Sequence, residues 1–186
     1  MIITRTPYRL SFFGGGTDYK PWFEEHGGAV LGTSIDKYCY LTCRYLPPFY
    51  DYKSRIVYSR VEVVKSHAEI QHPAVRAILD YLKISEGVEI HHDGDLPARA
   101  GLGSSSSFTV GLLHSLLALR QVMTTNIGLA HEAIKIEQEL LKEHVGCQDQ
   151  VIAACGGLCR IDFLPNKDIK IAPVIVNLAR LKQFQS

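Results

Sequence analysis

A run of glycine and serine residues near the middle of the chain is the strongest local signal for chemistry. Residues 96–107 read Leu-Pro-Ala-Arg-Ala-Gly-Leu-Gly-Ser-Ser-Ser-Ser, between a predicted strand and a predicted helix. Glycines let a ligand approach the backbone closely, and free N–H groups at a helix N-terminus attract anions. Serine hydroxyls add donors for phosphate, and one can ligate Mg²⁺. The run therefore predicts a phosphate-binding loop, and the alternative is a flexible turn with a serine N-cap.

The run matches neither of two familiar phosphate-binding motifs. It contains no Gly-Lys-Ser or Gly-Lys-Thr triplet, which a P-loop requires. The dinucleotide-binding fingerprint needs a third glycine at the position that Ser106 occupies. A phosphate site in this run would therefore be of neither type.

The helix predicted over Leu129–His144 carries a glutamate among apolar residues. Glu137 falls on the same stripe as Ala130, Ile134 and Leu141, whereas the other glutamates of this helix lie off the stripe. A carboxylate on an apolar stripe costs free energy unless it is paired with a cation or binds a metal. Glu137 is therefore a candidate metal ligand, and the alternative is a salt bridge at the edge of the stripe.

A second candidate carboxylate follows the break that Gly146 makes in this helix. Asp149 lies between the two glutamines of residues 148–150. Beside a nucleotide phosphate, an aspartate could accept a hydroxyl proton or orient the nucleophile for phosphoryl transfer. Taken by itself, Asp149 is more simply explained as the N-cap of a short helix over residues 150–154.

Length and composition describe an ordinary globular protein. The chain has 186 residues, of which 46% are hydrophobic and 21% charged, so intrinsic disorder is not expected. The 20 basic and 19 acidic residues leave a net charge of +1, which argues against nucleic-acid or membrane-surface binding. No signal peptide or membrane-spanning segment is recognisable, and the 5 cysteines form an odd set. The simplest interpretation is a cytoplasmic protein with free thiols.

The motifs must be positioned by a mixture of strands and helices. Strands are predicted over Ile2–Thr6, Tyr8–Phe13, Ala29–Thr33, Lys37–Leu46, Arg55–Tyr58, Val61–Val64, Val88–His92, Gly156–Phe163 and Ile169–Ile175. Helices are predicted up to Glu25 with Asp18 as cap, over Pro73–Leu82, Ser105–Arg120 and Leu129–His144, and from Asn177. This order does not alternate regularly between strand and helix, so the fold class is mixed α+β.

Three segments occur in an order that resembles one kinase superfamily. They are Arg5-Thr-Pro-Tyr-Arg-Leu-Ser-Phe-Phe-Gly-Gly-Gly-Thr-Asp-Tyr19, the Pro97–Ser107 loop, and Glu137 followed by Gly146-Cys-Gln-Asp149-Gln150. In this combination the chain resembles the GHMP kinases, the superfamily of galactokinase, homoserine kinase, mevalonate kinase and phosphomevalonate kinase. Residues 12–19, 26–31 and 34–38 are most similar to the branch that phosphorylates a heptose 7-phosphate, with the L-fucose kinases next.

The resemblance implies a fold and a site for ATP and Mg²⁺. The fold would be that of a GHMP kinase N-terminal domain, in which helices pack on a mixed sheet, a type also found in a ribosomal protein. The phosphates of ATP would lie against Pro97, Gly101, Leu102, Gly103, Ser104, Ser105 and Ser106. Mg²⁺ would be held by Ser104 or Ser105 together with Glu137.

The resemblance also implies roles around the sugar. Asp149 would be the base for the sugar hydroxyl, and Arg9 would stabilise charge near Asp149 and on the transferring phosphoryl group. The sugar would be contacted by Gly15, Gly16, Thr17 and Asp18. The phosphate of the sugar itself needs cations, for which Lys37, Arg44 and Arg99 are candidates.

The expected activity is ATP-dependent phosphorylation of the anomeric hydroxyl of a heptose 7-phosphate. The alternatives are another sugar kinase of galactokinase or L-fucokinase type, or a catalytically silent remnant that binds a nucleotide or sugar. Kinases of this superfamily carry a second, ferredoxin-like domain, so residues 1–186 are expected to form the N-terminal ATP-binding and catalytic domain alone. A partner would then be a second copy of the chain or a separate C-terminal half.

Overall fold

One long strand organises the sheet. The computed structural model describes residues 1–97 and 100–185. In these ranges the strands are β1 (Ile2–Phe13), β2 (Gly28–Tyr45), β3 (Ser54–Val57), β4 (Val61–Val64), β5 (Val88–Gly94), β6 (Leu158–Phe163) and β7 (Ile169–Pro173). Strand β2 is antiparallel to β1 along one edge, and along the other edge it is antiparallel first to β6 and then to β5. Since β3 and β5 are parallel, the sheet is mixed, as predicted.

Strands β1 and β2 are each continuous where the sequence predicted two strands. In β1, Pro7 is tolerated because β1 is an edge strand, where a missing N–H group breaks no ladder bond on its open side. In β2, the residues between Ser34 and Tyr38 form a bulge, which the pairs Pro7–Tyr38 and Arg9–Ser34 flank. The segment predicted as a loop is therefore an irregularity inside one strand.

The helices are α1 (Lys20–His26), α2 (Pro73–Tyr81), α3 (Ser104–Leu119), α4 (Asn126–Lys135), α5 (Gln148–Cys155) and α6 (Leu178–Gln185). A 3₁₀ turn covers His67–Glu69, and a π-helical turn over Ile136–Leu140 extends α4. The helix predicted over Leu129–His144 thus begins earlier, at Asn126. Thr125 caps this helix, because its hydroxyl accepts a hydrogen bond from the N–H group of Gly128 over 3.1 Å. The helix also ends earlier, since the π turn stops at Leu140.

The core lies between the sheet and α3. Leu112, Leu113 and Leu116 of α3 are fully buried in one cluster with Leu41 of β2 and Ile90 of β5. A second cluster surrounds α5 and β6. The helices within the described ranges are too short or too polar to cross a membrane. Helix α3 is therefore a closely packed central element, and its N-terminus has a fixed position relative to the sheet.

Candidate functional site

The glycine and serine run forms the turn into α3. Gly101 and Gly103 both have a φ of 75°, a left-handed conformation that a side chain would strain. Gly103 is the N-cap residue of α3, and among the described residues neither a side-chain cap nor an acidic residue in the first turn satisfies this helix start. The N-terminus of α3 therefore offers backbone donors and a positive partial charge, as an anion site requires.

Arg9 and Asp149 form a bidentate ion pair beside this turn. Nε and Nη2 of Arg9 donate to Oδ1 and Oδ2 of Asp149, each over 2.6 Å. A Cβ atom at Gly103 would lie 3.0 Å from Cγ of Arg9 and 3.3 Å from Oδ2 of Asp149. The ion pair therefore lies against the N-terminus of α3, and it remains reachable, since the two side chains are 15% and 22% exposed.

Three parts of the chain hold this ion pair. Arg9 lies on β1, where its N–H group donates to the carbonyl of Leu102 over 3.0 Å and its Nη1 donates to the carbonyl of Gly101 over 2.7 Å. Asp149 lies in the first turn of α5, which begins at Gln148. Asp149 is therefore not a helix N-cap, and its carboxylate faces the guanidinium that the resemblance had associated with it.

Glu137 is completely buried near the start of α3. Its Oε2 accepts a hydrogen bond from Oγ of Ser106 over 2.9 Å and another from Nε2 of Gln150. Within the described part of the chain, Oε1 of Glu137 and Oε1 of Gln150 have no hydrogen-bond partner. Burial raises the pKa of Glu137, while the side chains of Gln150, Thr109 and Ser106 oppose the rise. Glu137 is fully enclosed and its hydrogen-bond partners are neutral. The alternative interpretation, a salt bridge at the edge of the apolar stripe, therefore does not apply.

Glu137 lies in the π-helical turn. The N–H group of Leu141 donates to the carbonyl of Ile136 and that of Glu143 to the carbonyl of Glu137, both over 2.9 Å. Ile136 and Glu137 are both buried. Such turns are frequent at functional sites.

The oxygen atoms at and around Glu137 are suitable ligands for a magnesium ion. An unpartnered carboxylate oxygen, an unpartnered amide oxygen and serine hydroxyls are hard oxygen ligands of the kind that Mg²⁺ prefers. No cluster of three or more His, Cys, Asp or Glu side chains exists in the described ranges, so Mg²⁺ would need phosphate oxygens as further ligands. The serine bonded to Glu137 is Ser106, one residue beyond the predicted pair Ser104 and Ser105.

The turn over residues 14–18 was predicted to contact the sugar. Gly15 and Gly16 are exposed, and this location is compatible with that role. Asp18, by contrast, is 0% exposed, and its two carboxylate oxygens accept hydrogen bonds from the N–H groups of Gly16 and Gln148, each over 3.0 Å. In this arrangement the carboxylate of Asp18 is engaged by the backbone, and its contact with a sugar hydroxyl stays a prediction.

Thr17 is also engaged by the backbone. Its Oγ1 donates to the carbonyl of Gly14 over 2.8 Å and accepts from the N–H group of Ala29 over 3.1 Å. Helix α1 begins at Lys20 with Tyr19 as its N-cap residue, so the predicted capping of this helix by Asp18 is wrong. Of the four predicted sugar contacts, Gly15 and Gly16 are exposed, Thr17 is half-buried and Asp18 is buried.

A cavity of about 330 Å³ opens beside Ser104 and Ser105. In its wall, the ring of His72 stacks on Phe108 with centroids 4.7 Å apart, and His92 meets the edge of Phe108 at 5.0 Å. Burial lowers the pKa of His72 and of His92, which keeps both rings neutral near pH 7. A cavity walled by flat rings next to a phosphate-binding turn can hold a planar base.

Sequence reasoning missed two residues of this site. Gln150 was noted only as a neighbour of Asp149, and His72 was not singled out. The side chains of successive helix residues point about 100° apart. When the side chain of Asp149 contacts Arg9, the side chain of Gln150 must therefore contact a different residue. A buried glutamine directly after a catalytic candidate was the available signal, whereas the stacking of His72 on Phe108 needs the tertiary fold.

The cations considered for a substrate phosphate are dispersed. Nε of Arg44 donates to Oε2 of Glu89 over 2.5 Å, and Nη1 of Arg55 donates to Oε1 of Glu89 over 2.7 Å. Arg44 is therefore committed to a carboxylate on the sheet. Lys37 is exposed on β2, and Arg99 lies outside the described residues.

Comparisons with known proteins point to one family. The family model described as GHMP kinases N terminal domain matches residues 64–157. The D-glycero-alpha-D-manno-heptose 7-phosphate kinase of Campylobacter jejuni is 29% identical over 192 residues, covering 98% of this chain and 55% of that protein. The galactokinase of Pyrococcus furiosus is 28% identical over 178 residues, covering 91% of this chain and 48% of that protein.

A solved structure shares the fold. The D-glycero-D-manno-heptose 1-phosphate kinase from Bacteroides thetaiotaomicron superposes with a TM-score of 0.86 at 23% identity, covering 95% of this chain and 61% of that one. The chain spans about half the length of the curated relatives it matches. The family model covers half of the chain, and its match includes the turn into α3, the π turn and Asp149. The chain therefore belongs to the GHMP kinases, and the part of that family it matches is the N-terminal domain.

Proposed function

We propose that the protein is an ATP-dependent sugar kinase and that residues 1–186 form its ATP-binding and catalytic domain. The observation that carries the proposal is the ion pair of Arg9 and Asp149, which lies against Gly103 at the N-terminus of α3. A carboxylate that could act as a base and a permanent cation would then lie beside the phosphates of a bound nucleotide. Phosphoryl transfer depends on such positioning and charge stabilisation more than on covalent chemistry of the protein.

The nucleotide would be held by the turn and the cavity. Backbone N–H groups of the loop over residues 101–106 would donate to the phosphates, with Pro97 at its beginning. The base would enter the cavity beside Ser104, against the stacked rings of His72 and Phe108. This arrangement aims the terminal phosphate at the ion pair of Arg9 and Asp149. As an enzyme that consumes ATP, the protein would act in the cytoplasm.

Asp149 would accept the proton of the attacking sugar hydroxyl. Each carboxylate oxygen has two lone pairs and Arg9 occupies one on each, so a second lone pair is available to the substrate. Arg9 fixes the orientation of the carboxylate through its two parallel hydrogen bonds. The guanidinium also lies near the charge that develops on the transferring phosphoryl group. Gly15 and Gly16 are exposed and could contact the sugar through their backbone.

Mg²⁺ would be held by Glu137 together with Ser104 or Ser105. When bound, it neutralises charge on the phosphates. Ser106 and Gln150 both donate to Oε2 of Glu137, which holds the carboxylate in one orientation, with Oε1 unpartnered among the residues that the structure describes. The chain itself thus prepares an oxygen ligand close to the helix that would bind the phosphates.

The substrate we propose is D-glycero-D-manno-heptose 7-phosphate, phosphorylated on its anomeric hydroxyl to the 1,7-bisphosphate. Such a product serves the synthesis of a nucleotide-activated heptose for surface polysaccharide. The similarity to the Campylobacter jejuni heptose 7-phosphate kinase over 98% of this chain supports this choice. The Pyrococcus furiosus galactokinase, at 28% identity, favours a free sugar such as galactose as the second candidate.

A panel of acceptors tests the proposal. ADP release is measured with ATP, Mg²⁺ and heptose 7-phosphate, galactose or L-fucose, and the heptose phosphate is expected to give the highest kcat/KM. Asp149→Asn is expected to lower kcat by about 10²–10⁴-fold, the usual contribution of a general base. Asp80→Asn, on the exposed side of α2, is the control and should leave kcat unchanged. A chain that binds nucleotide but phosphorylates no sugar would instead be a catalytically silent binding protein.

A further inference from the structure

The ring of His72 lies in the wall of the cavity beside Ser104, but His72 is not part of the packed core. It precedes α2 and is the N-cap residue of that helix. His72 is half-buried, whereas Phe108, on which its ring stacks at 4.7 Å, is 6% exposed and belongs to α3. The core therefore fixes the place of Phe108, and the place of His72 depends on other contacts.

Glu62 on β4 supplies two of these contacts through the backbone. Its Oε1 accepts a hydrogen bond from the N–H group of His72 over 3.1 Å, and its Oε2 accepts one from the N–H group of Gln71 over 2.6 Å. Both N–H groups lie just before α2, so the carboxylate is also close to the positive end of this helix. One side chain thus connects the hairpin of β3 and β4 to the start of α2.

Tyr58 connects the same carboxylate to the ring of His72. Its hydroxyl donates to Oε1 of Glu62 over 2.8 Å. Its ring meets the ring of His72 edge-on, with centroids 4.9 Å apart and planes at 83°. Burial and the neighbouring carboxylate raise the pKa of Tyr58, so the hydroxyl keeps the proton that it donates. The His72 ring therefore contacts both Tyr58 and Phe108, and Glu62 holds its backbone.

We propose that Glu62 is a positioning residue for the nucleotide: together with Tyr58 it keeps the ring of His72 against Phe108 and so sets the width of the cavity. The inference rests on the proposed function, in which this cavity receives the base of ATP. Among the described residues that line the cavity, neither Glu62 nor Tyr58 is found, so their effect on the base would pass through His72.

Binding of a nucleotide and of its phosphate part distinguishes this role from general damage to the site. Glu62→Ala is expected to raise the Kd of ADP, measured by calorimetry, about tenfold, in line with the loss of hydrogen bonds to a charged group. The Kd of tripolyphosphate, which has no base, should stay within about twofold, because the turn into α3 is untouched. Glu86→Ala removes an exposed carboxylate and is the matched control, which should change neither Kd. An equal loss for both ligands, or no loss for ADP, would overturn the proposal.

Kinetics give the same separation during turnover. In Glu62→Ala the KM for ATP should rise about tenfold, while kcat and the KM for the sugar stay within about twofold, because the ion pair of Arg9 and Asp149 is not disturbed. Tyr58→Phe keeps the ring beside His72 and removes the hydroxyl, and it should raise the KM for ATP about threefold. This milder variant gives the answer if Glu62→Ala fails to fold. An unchanged KM for ATP in Tyr58→Phe, or a lower kcat as the main effect in either variant, would contradict the positioning role.

The unliganded protein reports the ring contact itself. Nuclear Overhauser effects between the ring protons of His72 and Phe108 should be clear in the unsubstituted protein and weaker in Glu62→Ala, since the backbone of His72 is released. If these signals weaken although no nucleotide binds to the unsubstituted protein, the proposed function fails while the positioning of His72 by Glu62 stands. If they are unchanged in Glu62→Ala, Glu62 does not position His72 and the proposal is overturned.

Discussion

Replacing Glu137 with glutamine should stabilise the fold while removing the proposed magnesium ligand. Glu137 is 0% exposed, and the groups that donate to it, Ser106 and Gln150, are neutral. Burial raises its pKa, and each unit of such a rise corresponds to about 1.4 kcal/mol of cost for the ionised form. Glutamine has nearly the same shape and no charge, so Glu137→Gln removes this cost.

The hydrogen bonds can be kept in the variant. If the amide oxygen of the new side chain takes the place of Oε2, the hydroxyl of Ser106 and the amide of Gln150 can both still donate to it. The free energy of unfolding at pH 7 should therefore rise by about 1–2 kcal/mol. For a domain of this size that corresponds to a Tm higher by about 2–8 °C.

The pH dependence of this effect has a definite sign. Because the folded state holds the pKa of Glu137 above its ordinary value of 4.5, this group favours folding at low pH and ceases to do so as the pH rises through the folded pKa. The advantage of Glu137→Gln should thus be largest at neutral pH and vanish as the pH falls toward 4.5.

Thermal unfolding of the two proteins at pH 7 and pH 5 measures this advantage. The control is Glu139→Gln, in the same π turn but exposed and paired with Lys20 at 3.6 Å. This substitution should change the free energy of unfolding by less than about 0.5 kcal/mol. If Glu137→Gln is less stable than the unsubstituted protein at pH 7, the idea of a costly, ionised Glu137 in the core is refuted.

Two further predictions concern stability. Gly101→Ala should lower the free energy of unfolding by about 1–2 kcal/mol, because alanine is strained in the left-handed conformation of Gly101. Gly103→Ala should lower it by about 1 kcal/mol more, because a Cβ atom at position 103 would also meet the ion pair of Arg9 and Asp149. Urea unfolding measures both, and equal losses would contradict the contact. Burial alone would raise the pKa of Glu89, but the surrounding cations outweigh it and lower the pKa to about 2. The stability that ionised Glu89 contributes above pH 4.5 is therefore lost as the pH falls toward 2. Allowing for solvent screening, Glu89→Gln should lower the free energy of unfolding at pH 7 by about 1 kcal/mol and make it depend less on pH in the acid range. An unchanged dependence on pH would contradict this prediction.

The features with local causes could be predicted from the sequence. The glycines at 101 and 103 and the serines after them predicted the turn into α3, since a positive φ and a helix start depend on neighbouring residues. The apolar stripe predicted the burial of Glu137, because helix periodicity is also local. The mixed α+β class followed from the order of the elements.

The features that depend on distant contacts could not be predicted from these patterns. Arg9 and Asp149 are 140 positions apart, and only the family resemblance placed them together. Asp18 was predicted to cap the helix that follows it, but its carboxylate accepts from the N–H group of Gln148 at the start of α5, 130 positions away in the sequence. The residue type indicated a cap, while the choice of helix was decided by packing around Gly146.

The most direct test of the central claim is to follow the γ-phosphate of ATP itself. Phosphorus NMR of the protein with ATP, Mg²⁺ and heptose 7-phosphate should show a new phosphate ester at the anomeric oxygen as the γ-phosphate signal disappears. In Asp149→Asn this transfer should be slower by about 10²–10⁴-fold. An unchanged γ-phosphate signal, its release as inorganic phosphate, or equal transfer in Asp149→Asn would contradict the account.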